Sequence, residues 1–254
     1  MPNAPTDDAA LRLTARKPAA AHPRNARDLL DRHGCIRGRS RLDPATVDAI
    51  RHGFDAGLPD AAAGARSFEL GETVFATLIA SRPVRAMIVA LLGPRAVAVR
   101  ALAFRKSRRV NWHVAWHQDV TVALARRVDC PDGFGQWTMK DGVPHAVAPR
   151  SLLEGMVTAR IHLDPVAVDD GPLEILPRSH RAGRLHASDM RDRAPSYRAD
   201  ACLADAGEVH FFRPLLAHRS KRATGTSARR VVQIEFAPAD ALPPPLSWHR
   251  AKAI

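Results

Sequence analysis

The stretch "WHVAWHQDVTV", residues 112–122, sets His113, His117 and Asp119 in an otherwise apolar run. Such side chains are open to three roles: gripping a metal ion, acid/base work by a His–carboxylate pair, or ordinary hydrogen bonding on a strand. His117 and Asp119 are two apart, so on a strand they leave the same face and can reach one ion. His113 and His117 have the HxxxH spacing with which a helix presents two zinc ligands. The Glu that follows the first His of that motif is absent, however, and Trp112, Val114, Trp116, Val120 and Val122 favour a strand. A lone HxD recurs by chance, and a half-buried His beside an Asp is commonly just a hydrogen-bonded pair.

A distant segment adds weight to the metal. In "EVHFFRPLLAHRSKRATGTSARRVVQIEF" a strand-like run ends in His218, followed by a polar loop and a strand that opens with Arg229 and Arg230. Two His and one carboxylate on one face of a metal make the facial triad of non-haem Fe(II) oxygenases, with three coordination positions left open. A 2-oxo acid needs two of those positions and dioxygen the third. The remote carboxylate of the acid must also be held, and the planar fork of Arg does this with two charge-assisted hydrogen bonds. Arg229 lies 11 residues after His218 (229 − 218). Alternation puts Arg229 with Val231 and Gln233 on one face, and Arg230 with Val232, Ile234 and Phe236 on the other. The second face reads as packing against a covering element, and the first as a site interior.

Rival readings stay open at this point. His162 and Asp164 repeat the HxD spacing. His145 and His180 lie by Pro-containing turns and read as surface or structural groups, with "KDGVPH" (140–145) a candidate lid. Trp112, Trp116 and Trp137 read as packing and pocket walls. Ser151, Ser179 and Ser220 have no Gly-x-Ser-x-Gly context, which argues against a hydrolase elbow.

The elements that must carry these residues follow from local pattern. "LDPATVDAIRHGFDAG" predicts a helix with Asp43 as N-cap, Pro44 at the first position, Val47, Ile50 and Phe54 on one face, and Gly57 as the stop. "SRPVRAMIVALLGP" predicts a second, with Ser81 before it and Gly93-Pro94 ending it. The runs "AVAVRALAF", "MVTARIHLDPV", "PLEILP", "EVHFFRPLLAH" and "RRVVQIEFAP" then read as strands. Helices followed by strands without alternation predict an α+β arrangement, with helices covering a β sandwich or barrel.

The 254 residues fit one domain, and no apolar stretch approaches the roughly 20 residues that span a bilayer. Asp7, Asp8, Arg12, Arg16 and Lys17 interrupt any secretory apolar core, so residues 1–26 are expected as a flexible tail; the two early Asp also argue against a mitochondrial transit peptide. Cys35, Cys130 and Cys202 are odd in number and widely spaced, which excludes a CxxC site and a disulfide framework and points to a reducing cytoplasm. The net charge of +12 is spread along the chain, with small groups at 105–109 and 219–222 that lack interleaved aromatics. A nucleic-acid partner is therefore not expected, and a small, anionic substrate is.

In "NWHVAWHQD" (111–119), "KDGVPH", "ARIHLDPVAVDDGPLEILPRSH" (159–180) and "RPLLAHRS" (213–220), taken in this order and spacing, the chain resembles the phytanoyl-CoA dioxygenase family of Fe(II)/2-oxoglutarate oxygenases. The resemblance runs from about Arg27 to Pro238, and "LLDRHGCIRGRSRLDPATVDAIR" looks like the family's opening helices. It implies a mainly β fold with α: a double-stranded β-helix (jelly-roll, cupin-like) core under N-terminal helices, in a single oxygenase domain over 27–254. It also implies that His117, Asp119 and His218 hold Fe(II), that Arg229 pairs with the remote carboxylate of 2-oxoglutarate, and that Ser220 adds a hydrogen bond there. Gln118 matches a pocket-lining position. Arg160 falls where relatives face the co-substrate, with residue type varying. Asp170 and Arg178 stand where Asn and Gly are common, and neither touches the implied metal. The expected reaction consumes 2-oxoglutarate and O2, releases succinate and CO2, and hydroxylates a C–H bond of a small molecule; related halogenases lack the carboxylate that Asp119 supplies. A cupin-like zinc or manganese enzyme that activates water, and a non-catalytic jelly-roll binding protein, are the alternatives. The sequence identifies no CoA site and no oligomeric state.

Overall fold

The alternating faces of "RRVVQIEFAP" divide a helical cover from a polar interior, and the architecture is built around that division. The computed structural model describes residues 13–58, 64–66, 72–129, 133–193, 198–225 and 228–254; residues 1–12 of the expected tail, and Cys130, lie outside them. In chain order the strands are β1 (Leu13–Arg16), β2 (Ala20–Ala21), β3 (Cys35–Gly38), β4 (Gly64–Arg66), β5 (Ala96–Lys106), β6 (Val114–His117), β7 (Thr121–Ala123), β8 (Gly135–Lys140), β9 (Val143–Val147), β10 (Val157–His162), β11 (Leu173–Ile175), β12 (Ala199–Cys202), β13 (Val209–Phe212), β14 (His218–Ser220), β15 (Arg229–Pro238) and β16 (Lys252–Ala253). The α-helices are α1 (Ala26–His33), α2 (Pro44–Gly57), α3 (Glu72–Ala80), α4 (Arg82–Leu92), α5 (Arg150–Glu154) and α6 (Ala187–Arg193).

The larger sheet runs β16-β5-β15-β10-β13-β3-β2 with β4 on β5, the smaller one β1-β12-β11-β14-β6, and β7-β9-β8 form a third, three-stranded sheet. The two main sheets make the jelly roll. On the larger sheet Ala101, Ala103, Val157, Ala159, Ile161, Val232, Ile234 and Phe236 point outward into one core with Leu30, Phe54, Val84 and Ile88 of the helices. The residues between them, Thr158, Arg160 and His162 on β10 and Gln233 and Glu235 on β15, point inward, and all are buried.

The two predicted helices form as expected. Asp43 accepts the Thr46 backbone N–H at 2.9 Å, Pro44 opens α2, and Val47, Ile50 and Phe54 are its buried residues. Ser81 precedes α4 but makes no side-chain cap; its hydroxyl donates to the Leu78 carbonyl of α3 at 2.6 Å.

Two expectations need correction. The run "EVHFFRPLLAH" is not one strand: β13 ends at Phe212, a turn closes with the Leu216 N–H on the Arg213 carbonyl (2.9 Å), and His218 opens β14 in the other sheet. Pro214 has no N–H to offer a ladder, which is why the strand stops there. Residues 13–25, placed in the tail by sequence, are instead built into the fold. β1 pairs in parallel with β12, β2 in parallel with β3, and a short 3-10 turn spans Pro23–Asn25.

Phe236 is fully buried in the helix-covered core. Phe236→Ala is expected to cost about 3–5 kcal/mol, read as a lower denaturant midpoint; an unchanged midpoint would show that the outer face of β15 is not packed as described.

Candidate metal centre

His117 closes β6 and His218 opens β14, and antiparallel pairing sets them directly opposite one another. Their ring centroids are 4.2 Å apart at 57°. Asp119 lies just past β6, where its backbone N–H donates to the Pro214 carbonyl at 2.9 Å. Asp119 Oδ1 is 3.9 Å from His117 Nε2 and Oδ2 is 3.8 Å from His218 Nε2. Taken together, one ligand atom from each of the three residues falls within 4.8 Å of the others, the one such group of three among the described residues.

The tautomers fit a metal. His117 Nδ1 is 2.8 Å from the Ala115 carbonyl and His218 Nδ1 is 2.8 Å from the Leu216 carbonyl. A carbonyl only accepts, so each Nδ1 carries the proton and each Nε2 turns a lone pair toward Asp119. Burial pushes the Asp119 carboxyl up, but His218, His117, Arg100 and Arg160 outweigh it and hold it below its ordinary value. His218 is pushed down to about 4, first by burial and then by His117. A carboxylate that stays charged beside an imidazole that stays neutral is the donor set a divalent ion requires.

The three residues border a cavity of about 190 Å³ with Arg100, Leu102, Phe104, Trp112, Arg160, Ser220, Arg229 and Gln233. Arg229 is buried and its Nη1 donates to the Gly171 carbonyl at 2.6 Å. Ser220 Oγ donates to the same carbonyl at 3.0 Å. Arg160 donates to Gln233 Oε1 at 3.1 Å, and Gln233 Nε2 reaches Asp119 Oδ2 at 3.4 Å. Arg229, Ser220 and Arg160 are thus brought to the same cavity as the triad.

Gln118 is not. Its Nε2 donates to the Gly183 carbonyl (2.8 Å) and the Leu215 carbonyl (2.6 Å), and its Oε1 accepts the Leu185 N–H (2.8 Å). Strand-like alternation turns it away from its two neighbours, so the expected pocket-lining residue is a clamp on the opposite side. The rivals also separate. Arg230 faces outward and pairs with Asp164 (2.8 Å) and Asp55 (2.5 Å). Asp164 is engaged there, while His162 faces His210 at 3.2 Å. His113 is exposed, and His145 and His180 are buried and bonded to the Val143 (3.0 Å) and Asp31 (3.1 Å) carbonyls. Trp112 walls the cavity, whereas Trp116 is buried beneath the Arg219 guanidinium. "KDGVPH" forms the tip of the β8–β9 hairpin.

Lys106 was missed. It belongs to "RKSRR", which composition reads as a basic surface group, yet Lys106 is 1% exposed and donates to Ser220 Oγ at 2.7 Å. The signal was present: the period-2 face holding Arg100, Leu102 and Phe104 reaches Lys106 if β5 is extended by two residues.

Residues 30–231 match the family model for phytanoyl-CoA dioxygenase (PhyH). No curated protein matches the chain. Among solved structures it is similar to SnoN, a non-heme alpha-ketoglutarate-dependent epimerase from nogalamycin biosynthesis (14% identity, 85% of this chain and 83% of that one, TM-score 0.65). EctD from S. alaskensis is similar at 17% identity, with 92% and 83% covered and a TM-score of 0.65. HygX from Streptomyces hygroscopicus with nickel and 2-oxoglutarate bound is similar at 16% identity, with 87% and 88% covered and a TM-score of 0.60. At these identities the likeness establishes the fold.

Asp119→Ala is expected to abolish tight Fe(II) or Co(II) binding in anaerobic calorimetry. Gln233→Leu, which removes only the contact behind that carboxylate, is expected to weaken it by roughly 10-fold, and His162→Ala is expected to leave it unchanged. Metal uptake by the Asp119 variant equal to the parent's would move the site elsewhere.

Proposed function

The chain belongs to the phytanoyl-CoA dioxygenase family, and on that premise we propose that it is an Fe(II)- and 2-oxoglutarate-dependent dioxygenase that hydroxylates a C–H bond of a small polar molecule. The observation that carries this reading is that a three-residue metal-ligating group and a buried guanidinium with no carboxylate hydrogen-bonded to it among the described residues open onto one cavity. Bound at His117, Asp119 and His218, Fe(II) would supply activation of O2 coupled to decarboxylation of 2-oxoglutarate to succinate and CO2.

The chain's own part is positional. Gln233, in contact with Asp119, marks the metal's level on β15; Arg229 stands four residues away on the same face, roughly 13 Å along the strand. The triad and Arg229 line one cavity of about 190 Å³, in which the proposed co-substrate would lie between them. Leu102, Phe104 and Trp112 are its apolar walls.

The opposite end of the same two strands supports a polar substrate. Glu235 and Arg100 lie beyond Gln233 and Leu102, with Arg100 Nη1 donating to Glu235 Oε1 at 3.1 Å. Arg100 and Arg160 line the cavity beside the metal-ligating group, and guanidinium groups so placed support an anionic substrate. Cys35 and Cys202 are buried free thiols hydrogen-bonded to one another, and their reduced state supports a reducing cytoplasm. A zinc or manganese enzyme activating water would have no use for Arg229 and Ser220, and neither would a non-catalytic binding protein.

The test is anaerobic loading with Fe(II) and 2-oxoglutarate, then oxygen, with succinate measured alongside a metabolite panel. Iron-dependent succinate formation and a product heavier by one oxygen are expected. Arg229→Leu should raise the KM for 2-oxoglutarate by the worth of a charge-assisted hydrogen bond, about 1.5–3 kcal/mol or roughly 10- to 150-fold. Tight iron binding with no consumption of 2-oxoglutarate would sink the reading in favour of the water-activating alternative.

A further inference from the structure

The two described cysteines meet between the sheets. Cys35 opens β3 in the larger sheet, paired with Phe212 of β13, and Cys202 closes β12 in the smaller one, paired with Leu173 of β11. Period two decides their facing: Ile36 points outward into the helix-covered core and Ala199 packs against Trp116 and Leu176, so Cys35 and Cys202 both turn inward. There they share one apolar cluster with Leu173, Ile175, Phe212 and Leu216, and the Cys35 thiol donates a hydrogen bond to the Cys202 sulfur. The pair is 167 residues apart in the chain (202 − 35), so no spacing motif announces it.

The sulfurs are not sealed off. A cavity of about 170 Å³, lined by Arg16, Lys17, His33 and Asp200, reaches both of them, and the Arg16 side chain at its rim is 61% exposed. Among the described residues it shares none with the metal cavity. On the far side Leu173, which packs with the thiols, and Arg160 both border the metal cavity. The charge of Arg160 acts on both sulfurs, and on Cys202 more strongly than on Cys35. Thiols that only pack need neither an entry route from solvent nor a neighbouring cation; thiols that react need both.

We propose that Cys35 and Cys202 form a reversible oxidation site, which hydrogen peroxide entering by the outer cavity converts to a disulfide that ties the two sheets of the jelly roll together. The hydrogen bond that Cys35 gives to Cys202, and then burial, push the Cys35 thiol well above its ordinary value and keep it protonated. Cys202 accepts that bond and feels the charge of Arg160 most, so it is the sulfur that attacks. As a thiolate it bonds to one peroxide oxygen, the O–O bond breaks, and the departing oxygen leaves as water, giving a sulfenic acid at Cys202. The Cys35 sulfur then bonds to that sulfur, the S–O bond breaks, and the Cys35 proton leaves with the oxygen as a second water. Each sulfur gives up one electron and peroxide takes two. Two equivalents of a small thiol reverse the change, as a reducing compartment would. No metal ligand takes part, so the site stands or falls apart from the oxygenase reading.

To test this, the unaltered full-length chain, kept metal-free with a chelator, is exposed to hydrogen peroxide, denatured in an alkylating agent and mapped by peptide mass. The expected product is a peptide pair joined through Cys35 and Cys202, lighter by two hydrogens than the separate thiol peptides, which dithiothreitol returns to two alkylatable thiols. C35S, in which Cys202 has lost its partner, should hold a sulfenic acid that dimedone traps at Cys202, whereas C202S should leave Cys35 unlabelled. Because the bond closes a long loop, the oxidised chain should unfold at a higher denaturant concentration than the reduced one. Both thiols still alkylatable after an exposure that fully oxidises free cysteine would overturn the proposal. So would sulfinic acid at either position without a bond between them, a bond made instead to Cys130 or between two chains, or a lowered unfolding midpoint.

Discussion

Pro214 is the constraint on which the site depends. A residue with no N–H ends β13, and the turn it sits in carries the chain from the larger sheet to the smaller one, so that His218 opens a strand beside His117. The turn is gripped from several sides. The Asp119 N–H donates to the Pro214 carbonyl and Gln118 Nε2 to the Leu215 carbonyl. The Arg213 guanidinium holds the Glu154 and Met156 carbonyls at 3.0 and 3.2 Å. The three consecutive residues 117–119 therefore divide their work: His117 turns inward, Gln118 fastens the turn from outside, and Asp119 does both through side chain and backbone. The local motif and the distant histidine are one mechanical unit, although about a hundred residues separate them in sequence (218 − 119 = 99).

The same alternation that splits 117–119 orders the larger sheet. Beyond Arg229, each inward polar residue of β15 is followed by an outward apolar one under the helices, so Gln233 and Glu235 are backed by Ile234 and Phe236. Helix burial thereby fixes the inward rotamer set without any direct contact to it. Along the inner face charge changes in steps. Arg229 and Lys106 are opposite at one end, Gln233 and Leu102 at the metal's level, and Glu235 and Arg100 at the other.

This explains what the sequence disclosed and what it withheld. Facing is a local property with period two, so the sharing of a face by His117 and Asp119, and the preference for Arg229 over Arg230, were legible; so were α2 and α4, whose caps lie within a few residues. Pairing is not local. Nothing in "LTAR" announces a parallel partner in Ala199–Cys202, and a tail reading was the natural one. In "EVHFFRPLLAH" the apolar run concealed the break that Pro214 imposes. Gln118 lies between two inward residues, so period two turns it outward whatever the family position implies. Lys106 is legible only where "RKSRR" continues a strand, since composition alone makes it a basic surface group.

Burial acts on two kinds of base in this interior, with two outcomes. Thr158 Oγ1, Arg160 Nε, His162 Nδ1, His210 Nε2 and Arg229 Nε are buried without a partner among the described residues, and groups of that kind cost about 1–3 kcal/mol each. The outward apolar face, closed by the helices, offsets this. His162 and His210 respond by staying neutral, His210 being pushed down to about 3 by burial first and Arg160 next. Arg160 and Arg229, though lowered by burial to about 10 and about 9, keep their charge at neutral pH. Histidine so placed adds no charge to compete with an incoming carboxylate for Arg229, and arginine so placed cannot be discharged by solvent. The division of residue types along one inner face is therefore itself selective: on the proposed reading, a dicarboxylate reaching Arg229 would meet permanent charge at its far end, and the buried histidines would add none.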